Sequence, residues 1–229
     1  MKRFFAFTLA ETLIVMGIIG IVSALTLPNL NASTGEKEKV AKVKKIYQNL
    51  TDAFDRAQAV YGPFDEWFTS NTFGEAEHTR CFERITEFMK VSKTCNNNDA
   101  KNCSSTGNIK GLNEMGAGYG INDYYPTAIL ADGTTISIME GLIGILVDID
   151  GKNKGNFKMG VDVFDFKISN NTITPSLTTT YPSQCFSTGL GCSKWVIDND
   201  NMEYLKAGSD GKCKNNSSRT LNETVITCK

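Results

Sequence analysis

The sequence predicts an α+β fold: one long N-terminal helix, half apolar and half amphipathic, packed on an antiparallel β-sheet with disulfide-stapled loops. Three observations carry that expectation. Thr12 to Leu30 is a run of nineteen residues with no charged side chain. Residues 40–61 then place apolar side chains at helical spacing, and residues 128–168 read as strands separated by turn signals. The chain accordingly divides into a basic stretch at 1–6, a transmembrane helix at 7–30, its amphipathic continuation at 31–61 and a globular head at 62–229. The sheet core of that head falls at about 127–168.

At about 1.5 Å rise per residue the uncharged run nearly matches a hydrocarbon core of roughly 30 Å. Lys2 and Arg3 precede it and favour a cytoplasmic N-terminus. Between Phe4 and Leu30 the one charged residue is Glu11. A carboxylate at membrane depth costs about 2.5–3.5 kcal/mol and is normally paired. Lys2 and Arg3 lie eight or nine residues upstream, too far to share a helix face with it. Either another chain supplies the partner, or Glu11 sits at headgroup level against water or Lys2. A secretory signal peptide cut after Val22-Ser23-Ala24 is the competing reading, and Glu11 inside its hydrophobic region argues against it.

Lys2-Arg3-Phe4-Phe5-Ala6, then Phe7-Thr8-Leu9-Ala10-Glu11, then the apolar run, resembles the N-terminal signal of type IV pilins and type II secretion pseudopilins. The resemblance implies removal of residues 1–6 by a prepilin peptidase, between Ala6 and Phe7, and methylation of the new amine. It also implies that Glu11, fifth after the cut, pairs with the Phe7 amine of a neighbouring subunit during assembly. Gly20 and Pro28 fall where the family places a glycine and a helix-kinking proline. Ala6 stands where the family has glycine, and Ala10 replaces a bulkier apolar residue. The implied partners are other pilin-like subunits, homo- or hetero-oligomeric, the peptidase, membrane lipid and an inner-membrane assembly platform. The implied location is the bacterial inner membrane, with one span and the head extracytoplasmic, and then a filament in the periplasm or at the cell surface. Major pilin, minor pilin and secretion pseudopilin stay open. So does a membrane-anchored, adhesin-like binding domain that never polymerises, for which Glu11 would have no use.

The helix continues from Ser33 to about Tyr61, with Ser33 and Glu36 in capping-box spacing. Val40, Val43, Ile46, Tyr47, Leu50, Phe54, Ala57 and Tyr61 form its apolar stripe. Lys37, Lys39, Lys42, Lys44 and Lys45 stand apart from that stripe, either as a solvated face or against anionic lipid. Gly62-Pro63 ends the helix. Short helical pieces follow over 64–93, then an Asn/Ser/Gly-rich loop from Cys95 to Gly120, which in pilins is the variable region. Residues 128–131 and 134–139 flank Asp132-Gly133 as a hairpin with a type I′ turn. Residues 144–149 and 161–168 are further strands, and Phe164, Phe166 and Ile168 share one face of a half-buried sheet. Residues 195–197 and 224–228 read as short strands.

Among 229 residues with net charge −1 there is no basic footprint for nucleic acid. Seven cysteines and one histidine, with no CxxC pair, point to disulfides in an oxidising compartment rather than to zinc. The local closures Cys81–Cys95, Cys185–Cys192 and Cys213–Cys228 leave Cys103 odd, and Cys95–Cys103 is an equal alternative.

The most chemical stretch is Val147 to Asn156 with Gly160 to Phe164, which resembles a strand–loop–strand signature of pilin-like secretion proteins where proline more often occupies the position of Gly155. Asp148, Asp150, Asn153, Asn156 and Asp162 offer oxygens of the kind calcium uses. The spacing is not that of an EF-hand, and an Asx-turn at Asp150 and Asn156 accounts for the same residues. Asp198 to Glu203 is a second acidic stretch, read as a polar turn. His78 reads as a surface residue; no nucleophile motif, phosphate loop or zinc-protease signature accompanies it, so no enzyme is expected.

Overall fold

The structure, a computed structural model, describes residues 9–68, 75–96, 99–105, 107–121, 125–139, 144–176, 178 and 180–229, with the side chains of all of these except 23–34, 75 and 117–119. The chain divides into two compact units, Met1–Glu38 and Lys39–Lys229. Helix α1, Leu9–Tyr61, contributes to both. It is helical through Gly20, Pro28 and Ser33, so the Ser33–Glu36 pair does not begin a helix.

In the first unit every residue from Leu9 to Val22 is exposed. Among the described residues no helix is long and apolar enough to cross a membrane. The predicted run extends past Val22, and the side chains of residues 23–30 lie outside those described.

In the second unit α1 buries Val40, Val43, Ile46, Leu50, Ala53, Phe54 and Ala57, the expected three–four spacing with Ala53 added. Tyr47 is half-buried and stacks on Phe166 with ring centroids 5.8 Å apart, while Tyr61 at the end of the stripe is exposed. Strand β1 (Val91–Cys95) and β4 (Thr127–Leu130), β5 (Thr135–Met139), β6 (Gly144–Asp148), β7 (Val163–Ser169) and β8 (Thr172–Thr174) form one antiparallel sheet in the order β1-β4-β5-β6-β7-β8. Helix α2, Glu75–Thr86, places Cys81, Phe82 and Ile85 in the same core as the α1 stripe.

The sheet departs from the half-buried expectation. Every residue of β5 and β6 is buried. Ile136, Ile138, Ile145, Val147, Phe164, Phe166 and Ile168 pack in the α1 core, and Met139, Leu146 and Val163 pack in a second one. That second core is closed by Ile109 of β2 (Gly107–Lys110) and Ile121 of β3 (Gly116–Ile121), with Met159 and Leu190. The Asn/Ser/Gly-rich segment expected to be loop thus contains a hairpin that covers the far face of the sheet.

Other local corrections have identifiable causes. Residues 91–93, expected to be helical, begin edge strand β1. The Asp132-Gly133 connection is a three-residue loop rather than a type I′ turn. Leu130 and Thr134 close it, the Gly133 amide donates to the Leu130 carbonyl, and Gly133 takes φ +89°. Residues 195–197 are not a strand but part of helix α3 (Cys192–Asn199), whose buried Cys192, Trp195 and Val196 follow a helical period. Its start is set by Gly191 at φ +76°, whose amide donates to Asp165 Oδ1 at 2.8 Å. Residues 224–228 form no strand, whereas β9 (Lys212–Cys213) and β10 (Asn216–Thr220) pair just before them.

The disulfides are Cys95–Cys103, Cys185–Cys192 and Cys213–Cys228. Cys81 is therefore the free cysteine, correcting Cys81–Cys95. Cys95 ends β1 and meets Cys103 just after the tight turn Ala100–Asn102, while Cys81 points from α2 into the core. Burial pushes the Cys81 thiol up to about 12, which leaves it unreactive at neutral pH.

Candidate functional site

Of the residues expected to direct processing and assembly, Ala6 and Phe7 lie outside the described residues. Glu11 is on α1, exposed, one residue before Thr12, whose hydroxyl donates to the Leu9 carbonyl at 2.8 Å. Around it Leu9, Leu13, Ile14, Val15, Met16 and Ile18 are all exposed. Consecutive positions advance about 100° around a helix, so this exposed apolar surface runs around the axis instead of forming one stripe. A contiguous apolar surface of this kind is costly to leave in water.

The acidic loop between β6 and β7 is held by hydrogen bonds and ion pairs within the chain. Asp148 is fully buried, and its Oδ1 accepts from the amides of Asp150 (3.2 Å) and Gly151 (3.0 Å). The Asx-turn is therefore made by Asp148 rather than by Asp150 and Asn156. Burial pushes the Asp148 carboxyl up to about 6 despite these two donors, and Oδ2 accepts no hydrogen bond from the described residues.

Asp150 and Asp162 converge on a protein cation. The Lys39 ammonium lies 2.5 Å from Asp162 Oδ1, 3.2 Å from the Val161 carbonyl and 3.4 Å from Asp150 Oδ2. Lys42 adds a contact of 3.7 Å to Asp150. Burial disfavours the Lys39 ammonium, but the Asp162 hydrogen bond and the two carboxylate charges outweigh it and raise its pKa. Asp162 Oδ2 accepts the Asn156 amide at 2.5 Å, and the Asn153 amide donates to Ser105 Oγ at 3.0 Å. The loop closes tightly because Gly155 has φ +65°, and a Cβ there would sit 2.8 Å from Asp150 Oδ2. Proline, the residue more usual at this place in the resembling signature, cannot take that angle. Among the described residues no group of three or more His, Cys, Asp or Glu is arranged to hold a metal ion.

Four of the five lysines of α1 pair with carboxylates of the second unit, and Lys44 and Lys45 do so with solvent-exposed side chains, as a solvated face would. Besides Lys39 and Lys42, Lys44 reaches Asp200 at 3.0 Å and Lys45 reaches Asp132 at 2.8 Å. The second acidic stretch is likewise engaged. Asp198 pairs with Lys194, and Glu203 with Lys206 and the Cys228 amide. Asn201 Oδ1 accepts from Trp195 Nε1 and from the Glu203 amide. His78 is 4% exposed rather than on the surface, because Glu77, His78, Cys81, Phe82 and Ile85 form the buried face of α2.

No protein-family model, no curated protein and no solved structure matches this chain.

Proposed function

We propose that this chain is a structural subunit of a type IV pilus-like or type II secretion pseudopilus filament. The observation that carries the reading is the surface from Leu9 to Val22, exposed at every position and apolar except for a few small or polar residues and Glu11. Lipid can cover it in a precursor, and neighbouring helices can cover it in a filament. Transfer from one to the other keeps the surface out of water, so extraction carries little hydrophobic penalty. Glu11 gives the transfer direction and register. It is costly in lipid and is relieved by the Phe7 amine of an adjacent subunit after cleavage at Ala6–Phe7. Three disulfides in the second unit suit an extracytoplasmic head.

The test is Glu11→Ala in cells that make the native filament. The reading expects membrane-inserted, disulfide-bonded protein with filaments lost. Full assembly by the variant would sink it. An anchored receptor that never polymerises would show unchanged surface display with no filament in either case.

A further inference from the structure

Two cavities lined by described residues of the second unit are of similar size. One, of about 320 Å³, is lined by Lys45, Arg56 and Lys90 but also by Asp52 and Asp132, so its charges largely offset one another. The other, of about 330 Å³, has Lys158 and Lys214 as its only charged lining residues, and among the described residues no carboxylate lines it. Leu112, Val161 and Phe186 give it an apolar wall, and Asn113 and Ser209 add neutral polar groups. Its volume is at the lower end of the range for small-ligand sites.

Two features make this cavity more than a surface dent. Its walls are pinned: Phe186 follows Cys185 of the Cys185–Cys192 bridge, and Lys214 follows Cys213 of the Cys213–Cys228 bridge. Pinned walls reduce the ordering cost of binding. In addition, one of its cations already holds a carboxylate. Lys158 Nζ donates to Glu114 Oε1 at 2.5 Å, and this hydrogen bond holds the Glu114 carboxyl below its usual range. Glu114 is 71% exposed and sits on the tight Gly111–Met115 turn at φ +65°, so it is an easily displaced counter-ion. Lys214 Nζ donates to the Leu205 carbonyl at 3.2 Å.

We propose that this cavity binds a small organic carboxylate with an apolar body, the carboxylate on Lys214 and Lys158 and the body against Phe186 and Leu112. Glu114 then acts as an internal competitor for Lys158. The lining residues all belong to the second unit and none is among Leu9–Val22, so the test does not depend on filament formation.

The full chain in detergent micelles is titrated with 3-phenylpropionate and, separately, with 3-phenylpropanamide, following the backbone amides of Gly208, Ser209 and Lys214 by NMR. The expected result is a saturable shift with the acid and at least tenfold weaker binding of the amide. Lys214→Glu weakens the acid at least tenfold while the remaining spectrum keeps its dispersion. Glu114→Gln, an exposed change, tightens it severalfold. Shifts that stay linear to the highest concentration, equal affinity for acid and amide, or indifference to both substitutions would overturn the proposal.

Discussion

Two stretches of one helix face opposite physical problems. From Lys39 to Ala57, α1 buries a stripe of seven apolar residues on the sheet of its own chain and pairs Lys39, Lys42, Lys44 and Lys45 with head carboxylates. From Leu9 to Val22 the same helix exposes every residue and carries no comparable stripe. One stretch has its cover encoded in the sequence that follows it. The other leaves its apolar side chains exposed, without cover from the described residues. An apolar pattern alone does not separate these cases; the arrangement of polar residues does, since a helix wet on one side needs a polar face and one wrapped on all sides does not.

The largest effect should come from breaking that asymmetry. Phe54 is fully buried, so Phe54→Ala should cost the head about 3–5 kcal/mol. Ile18→Ala, at a position 57% exposed, should leave the thermal unfolding of the head unchanged. Paired melting curves of the two variants in detergent test the contrast. Equal losses would mean that the first stretch is packed within the chain after all.

A smaller effect sharpens the comparison at the loop that receives Lys39. Asp148 has a folded pKa near 6, raised by burial above its ordinary 3.8. The folded state therefore holds a proton that the unfolded state has released, and stability falls as pH rises from about 4 through 6. Asp148→Asn keeps an oxygen for the Asp150 and Gly151 amides and removes the charge. It should flatten that pH dependence and raise stability at pH 7, on the order of 2 kcal/mol. Denaturant midpoints at pH 4.5 and 7 are the measurement, and a variant less stable than the parent at pH 7 would refute the assignment.

The smallest effect belongs to the outer lysines. Lys45 and Asp132 have side chains 60% and 39% exposed, so Lys45→Ala should cost under about 1 kcal/mol and less in high salt. A larger loss would mean that the lysine row, rather than the apolar stripe, holds α1 to the head.

Much of the architecture was legible in the sequence because it rests on local periodicity. The α1 stripe and the four strands from 127 to 169 follow from spacing, whereas the cysteine spacing suggests the local closures Cys185–Cys192 and Cys213–Cys228 without settling them and leaves Cys95–Cys103 an equal alternative to Cys81–Cys95. The second cover of the sheet was not legible. Ile109 and Ile121 are single apolar residues in a polar, glycine-rich segment, and only the sheet opposite them makes them core. Trp195-Val196-Ile197 has strand composition, but Gly191 and Asp165 start a helix there by a tertiary contact. At the acidic loop the acids were visible and their partner was not, because Lys39 comes from a helix more than a hundred residues earlier. The cavity between Lys158 and Lys214 had no sequence signal at all. Its lining comes from five separated stretches between Leu112 and Lys214.

The measurement that tests the central claim most directly is the intact mass and N-terminal sequence of the protein from native membranes. A filament subunit predicts a chain that begins at N-methylated Phe7, with a mass corresponding to three disulfides and one free thiol. A chain beginning at Met1 or at Leu25 would contradict it, the first leaving a static anchor and the second a secreted domain for which Glu11 has no role.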